Sequence, residues 1–228
     1  MTDFALSLAP MAHEMLSGER LVGTALGHGY IAFGRRVLAL TPPGAPRMPN
    51  GIETTASVTA GDLVRIGGGR LTLPDAEIWS GPAWNPRPEL RRKIRVEPRW
   101  MPSLAELVGR GEGLTPLGDD ITIGYLAGLA LSGRSARARA RRLARHTTAL
   151  AGTLIVLAAE GQLPEPAHAL LEDGDIGPLL AFGATSGAGI ALGLALALAP
   201  AAGPAVEEES FTLRVPFGAR SYAIAASH

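Results

Sequence analysis

The sequence contains no cysteine, and Lys93 is its single lysine against twenty arginines. Without thiols the chain has no disulfide, no thiolate metal site and no cysteine nucleophile, and it suits a reducing compartment. Aromatic residues are scarce at 5%, and no excess of either charge exists, with 21 basic and 21 acidic side chains. A net charge of zero gives no long-range field to gather nucleic acid or an anionic membrane, so any anion site has to be local. The N-terminus, Met1-Thr2-Asp3-Phe4, lacks the basic stretch and apolar core of a secretory signal, and a cytoplasmic protein is expected. No Ser-His-Asp order, Walker lysine or H-E-x-x-H helix is present, which removes the common hydrolase, kinase and zinc-protease readings. Neither a metal nor a cofactor is expected.

What is present is apolar and small. Hydrophobic residues make up 46% of the 228, with 29 glycines and 18 prolines, enough for a sizeable core with many turns in one domain or two. The uncharged stretch from Ile176 to Val206 is long enough to span a bilayer. Its middle, Gly183-Ala184-Thr185-Ser186-Gly187-Ala188-Gly189, is turn-prone and weakly hydrophobic, so a buried helix from Ser186 to Leu198 is preferred over a membrane span.

The chain changes character near Arg91. Before it, short apolar runs alternate with turns at Gly27-His28-Gly29, Pro42-Pro43-Gly44 and Gly67-Gly68-Gly69, the pattern of a small antiparallel sheet or barrel. A helix over Phe4 to Leu16 is a possible addition. His28 between two glycines reads as ordinary surface. Residues 91–102, with Arg91, Arg92, Lys93 and Arg95 and prolines nearby, read as a linker. From Ser103 helical signals dominate, opening with the capping box Ser103-Leu104-Ala105-Glu106. Further helices are expected over Pro116 to Leu131, Ser135 to Ala159, Glu165 to Leu171 and Ser186 to Leu198, with a closing strand from Phe211 to Val215. The expected class is α+β: a β-rich region over residues 1–90, then a helical domain rich in Ala, Gly and Leu over 103–228. Arg134, Arg137, Arg139, Arg141, Arg142 and Arg145 spread around their helix at 100° per residue, as a solvated face or a partner contact.

The main candidate site is the run Gly111-Glu112-Gly113-Leu114-Thr115-Pro116-Leu117-Gly118-Asp119-Asp120. Gly111 and Gly113 can adopt positive φ and turn amide groups inward, Thr115 is a suitable N-cap, and the helix start adds partial positive charge. Gly118 leaves room for a ligand or a second helix. Adjacent acids point about 100° apart on a helix, so one of Asp119 and Asp120 faces the site while the other caps or pairs. Ordinary turn chemistry and dipole stabilisation account for the same residues equally well. Gly183, Thr185, Ser186 and Gly187 form a second small-residue helix start, and the two would make a neutral site for a small anion if they converged. Thr148, expected mid-helix with His146 and Thr147, is a weaker ligand candidate.

The segment Gly109 to Asp120, followed by Gly124, resembles the G-x-G-x-G-L-T-P-x-G-D-D signature of a bacterial family formerly of unknown function. Some of its members are assigned as the AllH subunit of oxamate carbamoyltransferase. Thr147-Thr148, Ala159-Glu160-Gly161 and Gly183 to Gly187 resemble that family's later blocks, so the likeness runs from Leu104 to about Leu198. Glu112, Leu117 and Gly189 depart from the common pattern. The resemblance implies a multisubunit enzyme of allantoin and purine nitrogen catabolism that moves a carbamoyl group between oxalurate and phosphate, giving oxamate and carbamoyl phosphate. Asp119 and Asp120 are the catalytic candidates, and the resemblance implies other enzyme subunits as partners and a small anionic metabolite as ligand. A non-catalytic ligand-binding or regulatory module is the alternative.

Overall fold

The computed structural model describes residues 2–92, 94–97, 103–198, 210–217 and 220–227. The chain divides into two compact units, Met1–Pro86 and Arg87–His228. Their class is α+β, with the large sheet and one helix in the first and the remaining described helices in the second.

The first unit is a nine-stranded sheet around one helix, α1 (Pro10–Ser17). Its strands are β1 (Thr2–Phe4), β2 (Ser7–Leu8), β3 (Leu21–Gly27), β4 (Tyr30–Phe33), β5 (Arg36–Thr41), β6 (Gly51–Glu53), β7 (Leu63–Gly67), β8 (Arg70–Thr72) and β9 (Glu77–Trp79). They are ordered β1-β9-β8-β7-β3-β4-β5-β6-β2, antiparallel except at β1–β9 and β5–β6. The two edge strands are consecutive in sequence. Between them the Ala5 amide bonds to Trp79 and the Leu6 amide to Glu53, so the sheet curls until one short N-terminal segment meets both edges. Alternation along the strands sends Ala25, Ile31, Val64, Ile66, Leu71 and Ile78 into the core beneath α1.

The helix expected over Phe4 to Leu16 is shorter than its apolar pattern suggests. Pro10 occupies its first turn, and the residue before a proline is driven out of the helical region; Ala9 accordingly sits at φ −71°, ψ 155°. Residues upstream are thereby left extended and pair as strands.

The second unit begins with β10 (Ile94–Glu97) and α2 (Leu104–Leu107), whose capping box is formed as expected between Ser103 and Glu106. There follow α3 (Leu117–Leu131), α4 (Arg137–Leu143), a 3₁₀ turn (Ala144–His146), α5 (Ala149–Ala158), α6 (Pro166–His168), a π turn (Ala169–Asp173), α7 (Gly177–Leu180) and α8 (Ser186–Leu198). Strands β11 (Ser210–Phe217) and β12 (Arg220–Ser227) complete a sheet of order β10-β12-β11. The closing strand is present, and β12 falls where the sequence carries no strong signal.

The single helix expected from Ser135 to Ala159 is in fact two, and Thr147 and Thr148 are not mid-helix. Thr147 is extended at φ −142°, ψ −174°, and Thr148 caps α5 by accepting the Ala151 amide at 3.1 Å. A threonine hydroxyl that can satisfy a helix-start amide favours a new N-terminus over continuation. By contrast Thr122 and Thr153, inside α3 and α5, bond back to the carbonyls of Gly118 and Ala149.

Two helices dominate the second unit's core. A Cβ on Gly124 of α3 would lie 2.0 Å from the Ile190 carbonyl, and one on Gly193 of α8 would lie 2.0 Å from that of Ile121. Gly189 faces the Asp120 Cβ, and Gly128 faces Ala197. These contacts advance together along both helices, so α3 and α8 run parallel in near-backbone contact, with their N-termini at the same end. Among the described residues no helix is long and apolar enough to cross a membrane.

Candidate functional site

The loop entering α3 owes its path to glycine. Gly111 at φ +122° and Gly113 at φ +90° occupy the region open to residues without a side chain. At Gly111 a Cβ would also come within 2.9 Å of the Leu117 amide nitrogen, because the loop folds back on the helix it opens. Leu114 is left half exposed at its tip, and its carbonyl accepts the Thr148 hydroxyl at 2.6 Å.

The helix start differs from expectation in one respect. Pro116, not Thr115, is the N-cap, with φ −53° and ψ 145°, and it offers no side-chain cap. The Gly118 amide bonds to the Arg110 carbonyl, and those of Asp119 and Asp120 to Pro116, so these donors are already used by the chain. Gly118 itself is a packing residue: a Cβ there would lie 2.0 Å from the Leu107 carbonyl.

Asp119 and Asp120, both at 1% exposure or less, do different work. Asp119 Oδ1 accepts the Gly109 amide at 2.8 Å, and Oδ2 accepts the Thr147 hydroxyl. One carboxylate thus joins the loop before α3 to the break between α4 and α5. Burial pushes its pKa up, against the lowering effect of the Thr147 and Gly109 bonds.

Asp120 lies at the α3–α8 contact. Its carboxyl is bonded by the Ser186 hydroxyl, while Oδ2 is buried with no hydrogen-bond partner among the described residues. Burial pushes this carboxyl up to about 8, opposed by the Ser186 bond and reinforced by repulsion from Asp119. At neutral pH it is therefore mainly a neutral acid. Ser186 Oγ also lies 3.1 Å from Thr115 Oγ1. A chain of polar groups, Asp120, Ser186 and Thr115, consequently runs from the interior to a half-buried position where both helix starts meet.

Of the remaining candidates, Gly183 (φ +64°) and Thr185 form the exposed turn into α8, and the Thr185 carbonyl accepts the Gly189 amide. Gly187 is buried where a Cβ would strike the Leu179 carbonyl, and its amide bonds to Phe182. Thr148 has its proton committed to Leu114, which makes it a tie between loop and helix. Gly109 and Thr147 hold Asp119 and were not among the expected site residues. Their only signal in the sequence is membership of the G-x-G and Thr-Thr blocks, whose partner cannot be read without the fold.

Residues 107–198 match the family model of oxamate carbamoyltransferase subunit AllH. The matched segment starts at the end of α2 and stops at the last residue of α8, so it encloses both helix starts, Asp119, Asp120, the Thr147–Thr148 break and Ser186. No curated protein and no solved structure matches the chain.

Proposed function

We propose that this protein is a subunit of an oxamate carbamoyltransferase-type enzyme, and that a small anion is handled where α3 and α8 begin. One observation carries the siting: the buried, incompletely bonded carboxyl of Asp120, linked through Ser186 to Thr115 at two converging helix starts. The family match over this same segment supports the chemistry. Positive ends of two parallel helix dipoles favour negative charge there, and the hydroxyls supply donors in place of the amides the chain has used.

In the proposed reaction a phosphate oxygen bonds to the carbamoyl carbon of oxalurate as its bond to the oxamate nitrogen breaks. That nitrogen leaves only if it gains a proton. Asp120 holds one at neutral pH, and Ser186 and Thr115 provide the path by which it reaches the half-buried end of the chain. Gly111, Gly113, Leu114 and the 183–187 turn shape the approach. Asp119, with both oxygens engaged, positions the loop. The setting is allantoin-derived nitrogen catabolism in the cytoplasm, with partner subunits completing the site.

Assembly with those partners, followed by measurement of carbamoyl phosphate formed from oxalurate and phosphate, tests the assignment. Ser186→Ala is expected to lower kcat by about 10-fold to 100-fold while the complex still assembles. A complete assembly lacking this activity would overturn the proposal. Because both carboxyls are buried, a regulatory module that binds the metabolite without turning it over is the second reading; it is favoured if calorimetry detects oxalurate binding and the assembly's turnover is indifferent to Ser186→Ala.

A further inference from the structure

A second feature is formed by α2, α4 and the 3₁₀ turn. An open cleft of about 400 Å³ is lined by Ala105, Val108, Arg139, Arg142, Leu143 and His146. Arg139 and Arg142 are three residues apart, and His146 is four beyond Arg142, so α4 and the 3₁₀ turn present all three side chains on one side. Val108 and Leu143 are buried and form an apolar floor. Both arginines are exposed residues, and neither has a carboxylate partner among the described residues, whereas Arg137 on the same helix meets Glu160 at 3.6 Å. Favourable interaction with the helix dipole accounts for cations in the last turn of α4. It does not account for Arg139 in the first turn, or for two arginines without an ion pair among the described residues above an apolar floor.

We propose that this cleft binds a small metabolite carrying a phosphate or carboxylate on an apolar body. Guanidinium forks match the oxygens of either anion, the volume is that of a small-molecule site, and the floor provides for the apolar part. The ring nitrogens of His146 add a further polar contact at the rim. This site is distinct from the Asp120 cluster and does not depend on the carbamoyl-transfer reading. The two are adjacent through the chain, since Thr147, next to His146, is the residue held by Asp119.

Calorimetry on the full chain with phenyl phosphate, benzoate and inorganic phosphate tests the inference without any partner subunit. Phenyl phosphate or benzoate is expected to bind saturably, and whichever binds tighter identifies the anion. Affinity is expected to fall at least tenfold in Arg139→Ala/Arg142→Ala, and less than twofold in Arg141→Ala/Arg145→Ala, which removes the same charge outside the cleft. Equal losses in both double variants would show diffuse attraction and overturn the site. So would the absence of saturable binding by either aromatic probe, or inorganic phosphate binding as tightly as phenyl phosphate. Asp120→Asn is expected to leave the affinity unchanged; its loss there would move the ligand to the α3–α8 site.

Discussion

Asp120 costs the native state free energy whenever it is ionised, and that sets a pH dependence with a definite sign. An unfolded aspartate releases its proton near pH 4, whereas the folded carboxyl retains it to about 8. Across that window the native state binds more protons than the unfolded one, so stability falls as pH rises and the full loss is reached above the folded pKa. Asp120→Asn is expected to flatten most of this slope and to melt higher than wild type at pH 8.5, by about 1–3 kcal/mol in stability. Parallel melting curves from pH 4 to 9 would contradict the raised pKa. Asp119, also shifted upward, adds a slope of the same sign that survives in the variant. Its removal acts oppositely at neutral pH: Asp119→Ala strips the Gly109 amide and the Thr147 hydroxyl of their part-buried acceptor and is expected to cost about 1–3 kcal/mol in urea unfolding. Asp119→Asn, able to accept from Gly109, is expected to lose less. In the assembled enzyme, carbamoyl phosphate formation is expected to decline as pH passes about 8, where Asp120 gives up its proton.

At the level of elements, the parallel contact of α3 and α8 decides which residues can meet. Gly124→Ala and Gly193→Ala each place a methyl group against a backbone carbonyl that cannot rotate away. Each is expected to cost about 2–5 kcal/mol and to separate Ser186 from Asp120, read by chemical denaturation and by loss of the raised pKa. Gly113→Ala is the contrast. Nothing lies within 4 Å of its Cβ position, so only its positive φ matters, at about 1–2 kcal/mol. The bounds of α8 and the end of α3 were legible, because uninterrupted small and apolar residues follow a clear start. The division at Thr147–Thr148 was not. A Thr-Thr pair inside an apolar run suits either back-bonding or capping, and the choice fell to Asp119 and Leu114, which are distant in sequence. The same dependence misplaced the N-cap by one residue, since Thr115 is engaged by Ser186 instead.

For the whole molecule, the expected behaviour is that of a component. The chain alone is expected to show at most a few per cent of the carbamoyl-transfer rate of the assembly, a comparison made by assaying the isolated subunit and the purified complex at equal molarity. With no net charge to steer association, the assembly is expected to withstand salt better than one held by opposite charges. The succession of short alternating strands and then small-residue helices determined the α+β class, because periodicities of 2 and 3.6 are local properties. The same is true of the glycine loop, whose residues alone permit its path. Convergence of two helix starts separated by more than sixty residues, the division of labour between adjacent aspartates, and the gathering of Arg139, Arg142 and His146 over an apolar floor were decided only by tertiary structure. Each depends on which surfaces meet, and burial and hydrogen-bond satisfaction are properties of the packed molecule.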